Sequence, residues 1–111
     1  MERFQIDELL DRQPKNEGDY TEFLRQESMS VGVYTLPEGS VDTQDPHTED
    51  EIYYVLSGSA TLIVDGDEYQ AEKDDVFFVE RDVEHRFIDI KENLELLVVF
   101  APERGSLSSD S

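Results

Sequence analysis

The sequence predicts an all-β, antiparallel single domain, either a sandwich or a barrel. Three observations predict it. The apolar residues fall in short runs rich in Val, Ile, Tyr and Phe, turn residues separate those runs at regular intervals, and almost no stretch keeps a helical period. A chain of 111 residues has the length of one domain, since domains commonly run to about 100–150 residues. It can bury a single core without disulfide or metal staples.

The elements follow in chain order. Phe4, Ile6, Leu9 and Leu10 allow one helical turn, capped by Asp7 and ended by Pro14, Asn16 and Gly18. Tyr20 to Arg25 reads as a first strand and Met29 to Leu36 as a second. Pro37-Glu38-Gly39 is a turn, and Ser40 to His47 is polar and partly extended. Glu51 to Leu56 and Ala60 to Val64 read as two further strands. Asp65-Gly66 is a two-residue hairpin turn, because Gly accepts positive φ at no steric cost. Asp67 to Glu72 returns, and Val76 to Val79, His85 to Ile90 and Leu94 to Ala101 complete eight or nine short strands. Val76-Phe77-Phe78-Val79 and Leu96-Leu97-Val98-Val99-Phe100 are apolar on both faces. That predicts two layers plus a subunit interface or a covering strand. We therefore expect an N-terminal segment with the first strand or strands over 1–27, contributing to a homodimer contact. A barrel follows over 28–102, then a disordered Gly- and Ser-rich tail over 103–111.

Charge excludes several function classes. The chain carries 28 acidic and 9 basic residues, a net charge of −19, and no cysteine. A surface this negative argues against nucleic acid as a partner, because phosphate binding needs clustered Lys and Arg. It argues equally against anionic membranes. The absence of cysteine excludes disulfides, thiolate metal sites and Cys nucleophiles. Met1-Glu2-Arg3-Phe4 begins no signal peptide, no apolar run reaches membrane-spanning length, and the expected location is the cytoplasm. The acids are spread along the chain rather than gathered in a tail. This points to a halophilic protein, since the Debye length falls to about 3 Å at 1 M salt and self-repulsion is then slight. An ordinary acidic protein is the other reading.

The chemistry converges on the two histidines, His47 and His85. Each stands at or beside the start of a predicted strand. Glu51 lies four residues after His47 and opens an apolar strand. Side chains two apart share a strand face, so Asp45, His47, Glu49 and Glu51 would share one in a fully extended segment. Pro46 and the acidic turn Thr48-Glu49-Asp50 interrupt it, and we expect Glu49 to splay outward. His85, Phe87 and Asp89 form a second set at strand spacing. Two imidazoles and one carboxylate suit Fe(II), and Mn, Zn, Ni and Co accept the same donors. Asp42, Asp45, Glu49, Asp50 and Glu51 superficially suggest calcium but lack the spacing and the glycine of a calcium loop, and the acids left over, Asp42, Glu49 and Asp50 among them, read as a solvated surface. Tyr53 shares the Glu51 face, either as a hydrogen-bonding group in the site or as core packing with its hydroxyl at the rim. Tyr53, Val55, Leu62, Phe78, Phe87 and Val98 are the expected barrel walls.

The spacing also resembles a known family. Gly39, five residues, Asp45, one residue, His47, three residues, Glu51, six residues, Gly58 resembles the first motif of the cupins. Asp74, Glu80, Asp82, His85 and Asp89 stand where the second motif has Gly, Pro, Gly, His and Asn. The resemblance covers about Met29 to Ala101. It implies a jelly-roll barrel in which His47, Glu51 and His85 match three of four ligands to one divalent metal ion. The family's first histidine is replaced by Asp45, an oxygen donor. Gln44, in the run Gln44-Asp45-Pro46-His47, is the rival fourth ligand if Pro46 kinks the chain. Two functions fit the resemblance. One is a metalloenzyme of dioxygenase, isomerase or lyase type acting on a small metabolite. The other is a non-catalytic small-molecule-binding module. A metal-free structural barrel is a third option, kept open by Asp45.

Overall fold

Strand alternation and two long bent strands build the molecule. The computed structural model describes residues 1–12, 19–42 and 48–105. A short helix, α1 (Ile6–Arg12), precedes β1 (Asp19–Gln26), β2 (Met29–Leu36), β3 (Asp50–Val64), β4 (Asp67–Glu72), β5 (Val76–Val79) and β6 (His85–Ala101). Every pairing is antiparallel, in the order β1-β2-β6-β3-β4, with β5 on β3. The all-β antiparallel expectation holds. Asp7 lies inside the first turn of α1 rather than capping it, and its Oδ1 accepts from the neighbouring Glu8 amide.

Six described strands replace the eight or nine expected, and the reason is local. Ser57-Gly58-Ser59 does not end a strand. It forms a run of register shifts that bends β3 without breaking it. Gly58 takes φ +93°, and a Cβ there would fall 2.2 Å from the Asn93 carbonyl oxygen. Only glycine allows that backbone approach. Opposite it, β6 bulges between Ile88 and Glu92, with Asp89 at φ 50°. Each long strand therefore serves both halves of the fold. Asp50–Val55 pairs with Leu96–Ala101, and Ser59–Val64 with the stretch from His85 to Glu92. The Asp65-Gly66 hairpin turn forms as expected, with both residues at positive φ.

The interior follows the period of two. Leu36, Tyr53, Val55, Leu62, Leu94 and Leu96 are fully buried, with Phe87 and Val98 beside them. Each such aliphatic side chain contributes about 1.5–3 kcal/mol by leaving water. Phe78 is a correction. Instead of standing in the wall, it pairs with Ile52 on the outer face and is 61 % exposed. Phe77 and Val79 point inward, so β5 is not buried on both faces. Ile52, Tyr54, Val76 and Phe78 together form an exposed apolar patch. β1 pairs with β2 of its own chain. Among the described residues no helix is long and apolar enough to cross a membrane.

Candidate functional site

The bend in β3 decides which side chains meet. Glu51 opens the first half of β3, whereas His85 pairs with Val64 at the far end of the same strand. Folding at Gly58 brings them together inside the molecule, where Glu51 Oε1 lies 3.0 Å from His85 Nε2. Both side chains are 2 % exposed. Gln44, Asp45 and His47 lie outside the described residues. Among the described residues there is no group of three or more His, Cys, Asp or Glu side chains placed to hold a metal ion.

Hydrogen bonding orients the imidazole. His85 Nδ1 is 2.8 Å from the Val83 carbonyl oxygen. A carbonyl only accepts, so Nδ1 carries the proton. In the neutral ring Nε2 then presents its lone pair to the interior. Tyr53 is fully buried, and its hydroxyl lies 3.0 Å from that nitrogen. Tyr53 is thus a hydrogen-bonding partner in the site, not packing with its hydroxyl at the rim. Glu51 Oε1 is buried and receives no well-directed hydrogen bond. A buried unpaired carboxylate oxygen costs more than an unpaired neutral group.

This pair bears on whether a metal fits. A carboxylate oxygen and an imidazole lone pair at 3.0 Å repel unless a positive charge sits between them. A proton on Nε2 is one such charge. Burial opposes the imidazolium, but the Glu51 carboxylate, the Val83 carbonyl and Asp42 together outweigh it and raise the His85 pKa above 6.5. A divalent ion is the other. Two donors held about 2.1 Å from a metal at right angles stand about 3.0 Å apart. The second-sphere arrangement also fits, because a metal-binding His commonly donates its other N–H to a carbonyl. Glu51 and His85 therefore fit as two ligands of a larger set.

Two acids depart from the sequence reading. Glu49 does not splay outward. It is 2 % exposed, its Oε1 accepts from the Gly105 amide at 2.9 Å, and its Oε2 accepts from Thr48 Oγ1. Asp42 is not solvated. It is 3 % exposed, with Oδ1 accepting from Tyr34 Oη at 3.1 Å and Oδ2 from the Phe87 amide at 2.9 Å. Burial, reinforced by Asp42, pushes the Tyr34 phenol above its usual pKa. Asp89 leaves the His85–Phe87 face, because its positive φ inverts the alternation and turns Ile90 inward.

Sequence reasoning also missed Arg104, placed in the expected tail. Its amide donates to Ser30 Oγ at 2.9 Å, and its carbonyl accepts from Arg25 Nη2 at 3.0 Å. Its guanidinium covers Tyr20, 5.1 Å from the ring centre, and lies 5.9 Å from the Phe100 ring centre. No local pattern announces this, since the contacts join the two ends of the chain.

Comparison with known proteins agrees with this fold. The family model described as "Cupin domain" matches residues 32–100. An uncharacterized protein of Streptomyces coelicolor is 43% identical over 102 residues, which cover 92% of this chain and 97% of the relative. A protein of Thermus thermophilus superposes with a TM-score of 0.80 at 24% identity, over 93% of this chain and 99% of its own. A double-stranded β-helix protein of Klebsiella pneumoniae gives 0.78 at 20% identity, over 92% and 90%. At those identities the two structures speak for the fold alone.

Proposed function

This chain belongs to the cupin domain family, and on that premise we propose that it is a metalloenzyme acting on a small metabolite. The family holds both enzymes and non-catalytic members, and cupins often bind a metal. The observation that carries the proposal is the Glu51–His85 pair. One buried carboxylate oxygen without a directed donor faces an imidazole nitrogen whose tautomer is set by Val83.

His47, Glu51 and His85 would hold one divalent ion, with Gln44 or Asp45 as the fourth ligand. When bound, such an ion would supply Lewis acidity toward a carbonyl, a lowered pKa for a bound water, or a site for O₂. The chain's own residues do the rest. Val83 keeps the His85 ring in one tautomer. The Tyr53 hydroxyl, 3.0 Å from Nε2, holds a ligand oxygen or passes a proton at Oη. Phe87 packs edge-on against Tyr53 with ring centres 5.1 Å apart, and with Val98 it keeps bulk water from that hydroxyl. Low local polarity strengthens each electrostatic contact. The exposed outer patch of Ile52, Tyr54, Val76 and Phe78 supports a homodimer, since it is apolar and uncharged on a chain of net charge −19.

Elemental analysis of protein purified without chelator tests the site. About one metal per chain is expected, with loss in His47→Ala and in His85→Ala. Unchanged stoichiometry in both variants refutes it. Of Gln44→Ala and Asp45→Ala, the one that weakens binding more identifies the fourth ligand.

A further inference from the structure

We propose that Arg104 and Tyr20 form a carboxylate-binding subsite beside Glu51 and His85, so that the metabolite is a small organic acid. This rests on the metal-site reading above for its position, though not for its chemistry. Arg104 is exposed, yet on a chain with 28 acids and only 9 bases its backbone is firmly fixed. Arg104 is held on both sides of its backbone. Its amide is bound to Ser30, its carbonyl to Arg25, and the next amide, that of Gly105, to the buried Glu49 carboxylate. Three hydrogen bonds thus fix the segment, while the guanidinium itself forms no ion pair with a carboxylate among the described residues. It lies over Tyr20 and near Phe100. Stacking leaves the edge of a guanidinium open, and that edge carries the paired donors that match a carboxylate.

Tyr20 supplies the second donor. Its phenol lies directly on Gly32, where any Cβ would fall 2.5 Å from the hydroxyl oxygen. Gly32 therefore makes the space that admits the ring. The ring meets Tyr34 and Phe100 edge-on, at centre separations of 6.3 and 6.1 Å. The hydroxyl is buried and has no hydrogen-bond partner among the described residues, a state that costs about 1–3 kcal/mol. Phe100, which the ring meets, is the register partner of Glu51, and Arg104 lies over the phenol ring, so Tyr20 stands beside both the candidate metal ligand and the cation. A buried donor without an acceptor, next to a cation without an anion, is the complement of a carboxylate. An uncharged ligand satisfies the hydroxyl but leaves the guanidinium unmatched.

Isothermal titration with glycolate, lactate, malonate and malate tests the subsite, with glycolamide and lactamide as uncharged counterparts. It is run on the full chain as purified and again after chelation. At least one acid is expected to bind at least tenfold more tightly than its amide. Arg104→Gln should weaken that acid tenfold or more and Tyr20→Phe threefold or more. Arg86→Gln, on the outer surface, should leave it unchanged. Should Arg104→Gln fail to fold, Arg104→Lys keeps the charge without the planar fork, and an intermediate affinity is expected. Acid binding that survives chelation and still depends on Arg104 supports the subsite even if the metal reading fails. Binding that is equal in Arg104→Gln and the parent, or equal for acid and amide, overturns the subsite while leaving the metal reading intact. No binding of any acid in either form also overturns it.

Discussion

Within the first half of β3 the two faces reverse the usual arrangement. Inward-facing Glu51 and Tyr53 carry a charge and a hydroxyl, whereas outward-facing Ile52 and Tyr54 are the more apolar pair. In the second half the rule returns, with Ala60 and Leu62 buried and the polar hairpin exposed. A strand that needed only to fold would keep Ile inside and Glu outside, because burying a charge without a partner is costly. The inverted stretch is therefore where a buried polar pair stands in place of apolar packing, and the second half is where the ordinary alternation returns. The same inversion recurs beyond β2, where Val41 is 70 % exposed and Asp42 is 3 % exposed.

Gly58 joins the two halves, and substituting it should have the largest effect. Gly58→Ala places a Cβ 2.2 Å from a backbone oxygen at φ +93°. Neither strain can relax without opening the β3–β6 pairing. A loss of about 3 kcal/mol or more in denaturant unfolding is expected, with separation of Glu51 from His85. A melt unchanged within error would show that the bend is not what brings the site together.

Next is Asp42→Ala, which tests the inverted region alone. It removes the acceptor of both the Tyr34 hydroxyl and the Phe87 amide. Two buried donors lose their partner, so about 2–4 kcal/mol of stability should be lost. Asp42→Asn keeps one acceptor oxygen and should recover part of it. If alanine and asparagine behave alike, the carboxylate is not a clamp between the end of β2 and β6.

These two residues also show how much is legible in the sequence. Gly58 is marked by motif spacing, and Glu51 and His85 come from the same spacing, so the meeting of those two side chains is readable. β2 and the Asp65-Gly66 turn are readable because alternation and positive-φ preferences are local. Asp42, Glu49 and Arg104 are not. A buried acid looks like a surface acid in a chain this acidic, and the only local trace at Asp42 is the exposed Val41 beside it. Arg104 depends on contacts with Ser30 and Arg25, more than seventy residues away. The number of strands is overcounted because a Ser-Gly-Ser run is written alike for a turn and for a bend.

The outer face should respond differently from the inner. Phe78→Ser removes an exposed aromatic from the apolar patch without touching Tyr53 or His85. Light scattering should shift from dimer to monomer, while the unfolding free energy extrapolated to low protein concentration changes by less than about 1 kcal/mol. A parent chain that is already monomeric at about 100 μM or above would remove the patch as a self-association surface.

The smallest effect expected is a gain, and it concerns the acids themselves. Asp74 and Asp82 stand where the cupin motif has glycine, and both hold the backbone conformation that glycine favours, at φ 73° and 63°. The turns hold the backbone conformation of glycine with an acidic side chain in place. Aspartate enters this region more readily than most residues, but it still loses against glycine on steric grounds. Asp74 is compensated, because the Tyr54 hydroxyl donates to it at 2.9 Å. Asp82 is exposed and adjoins Arg81, which already pairs with Asp50 at 3.3 Å. Asp82→Gly should therefore gain about 0.5–1 kcal/mol in low salt, while Asp74→Gly should gain less or lose. Melting both in multimolar KCl separates backbone strain from charge repulsion. A gain at Asp82 that persists in high salt belongs to the backbone. A gain that vanishes there is relief of like-charge repulsion, and the acidic turn would then be an adaptation to a saline interior, tolerated because screening removes its penalty.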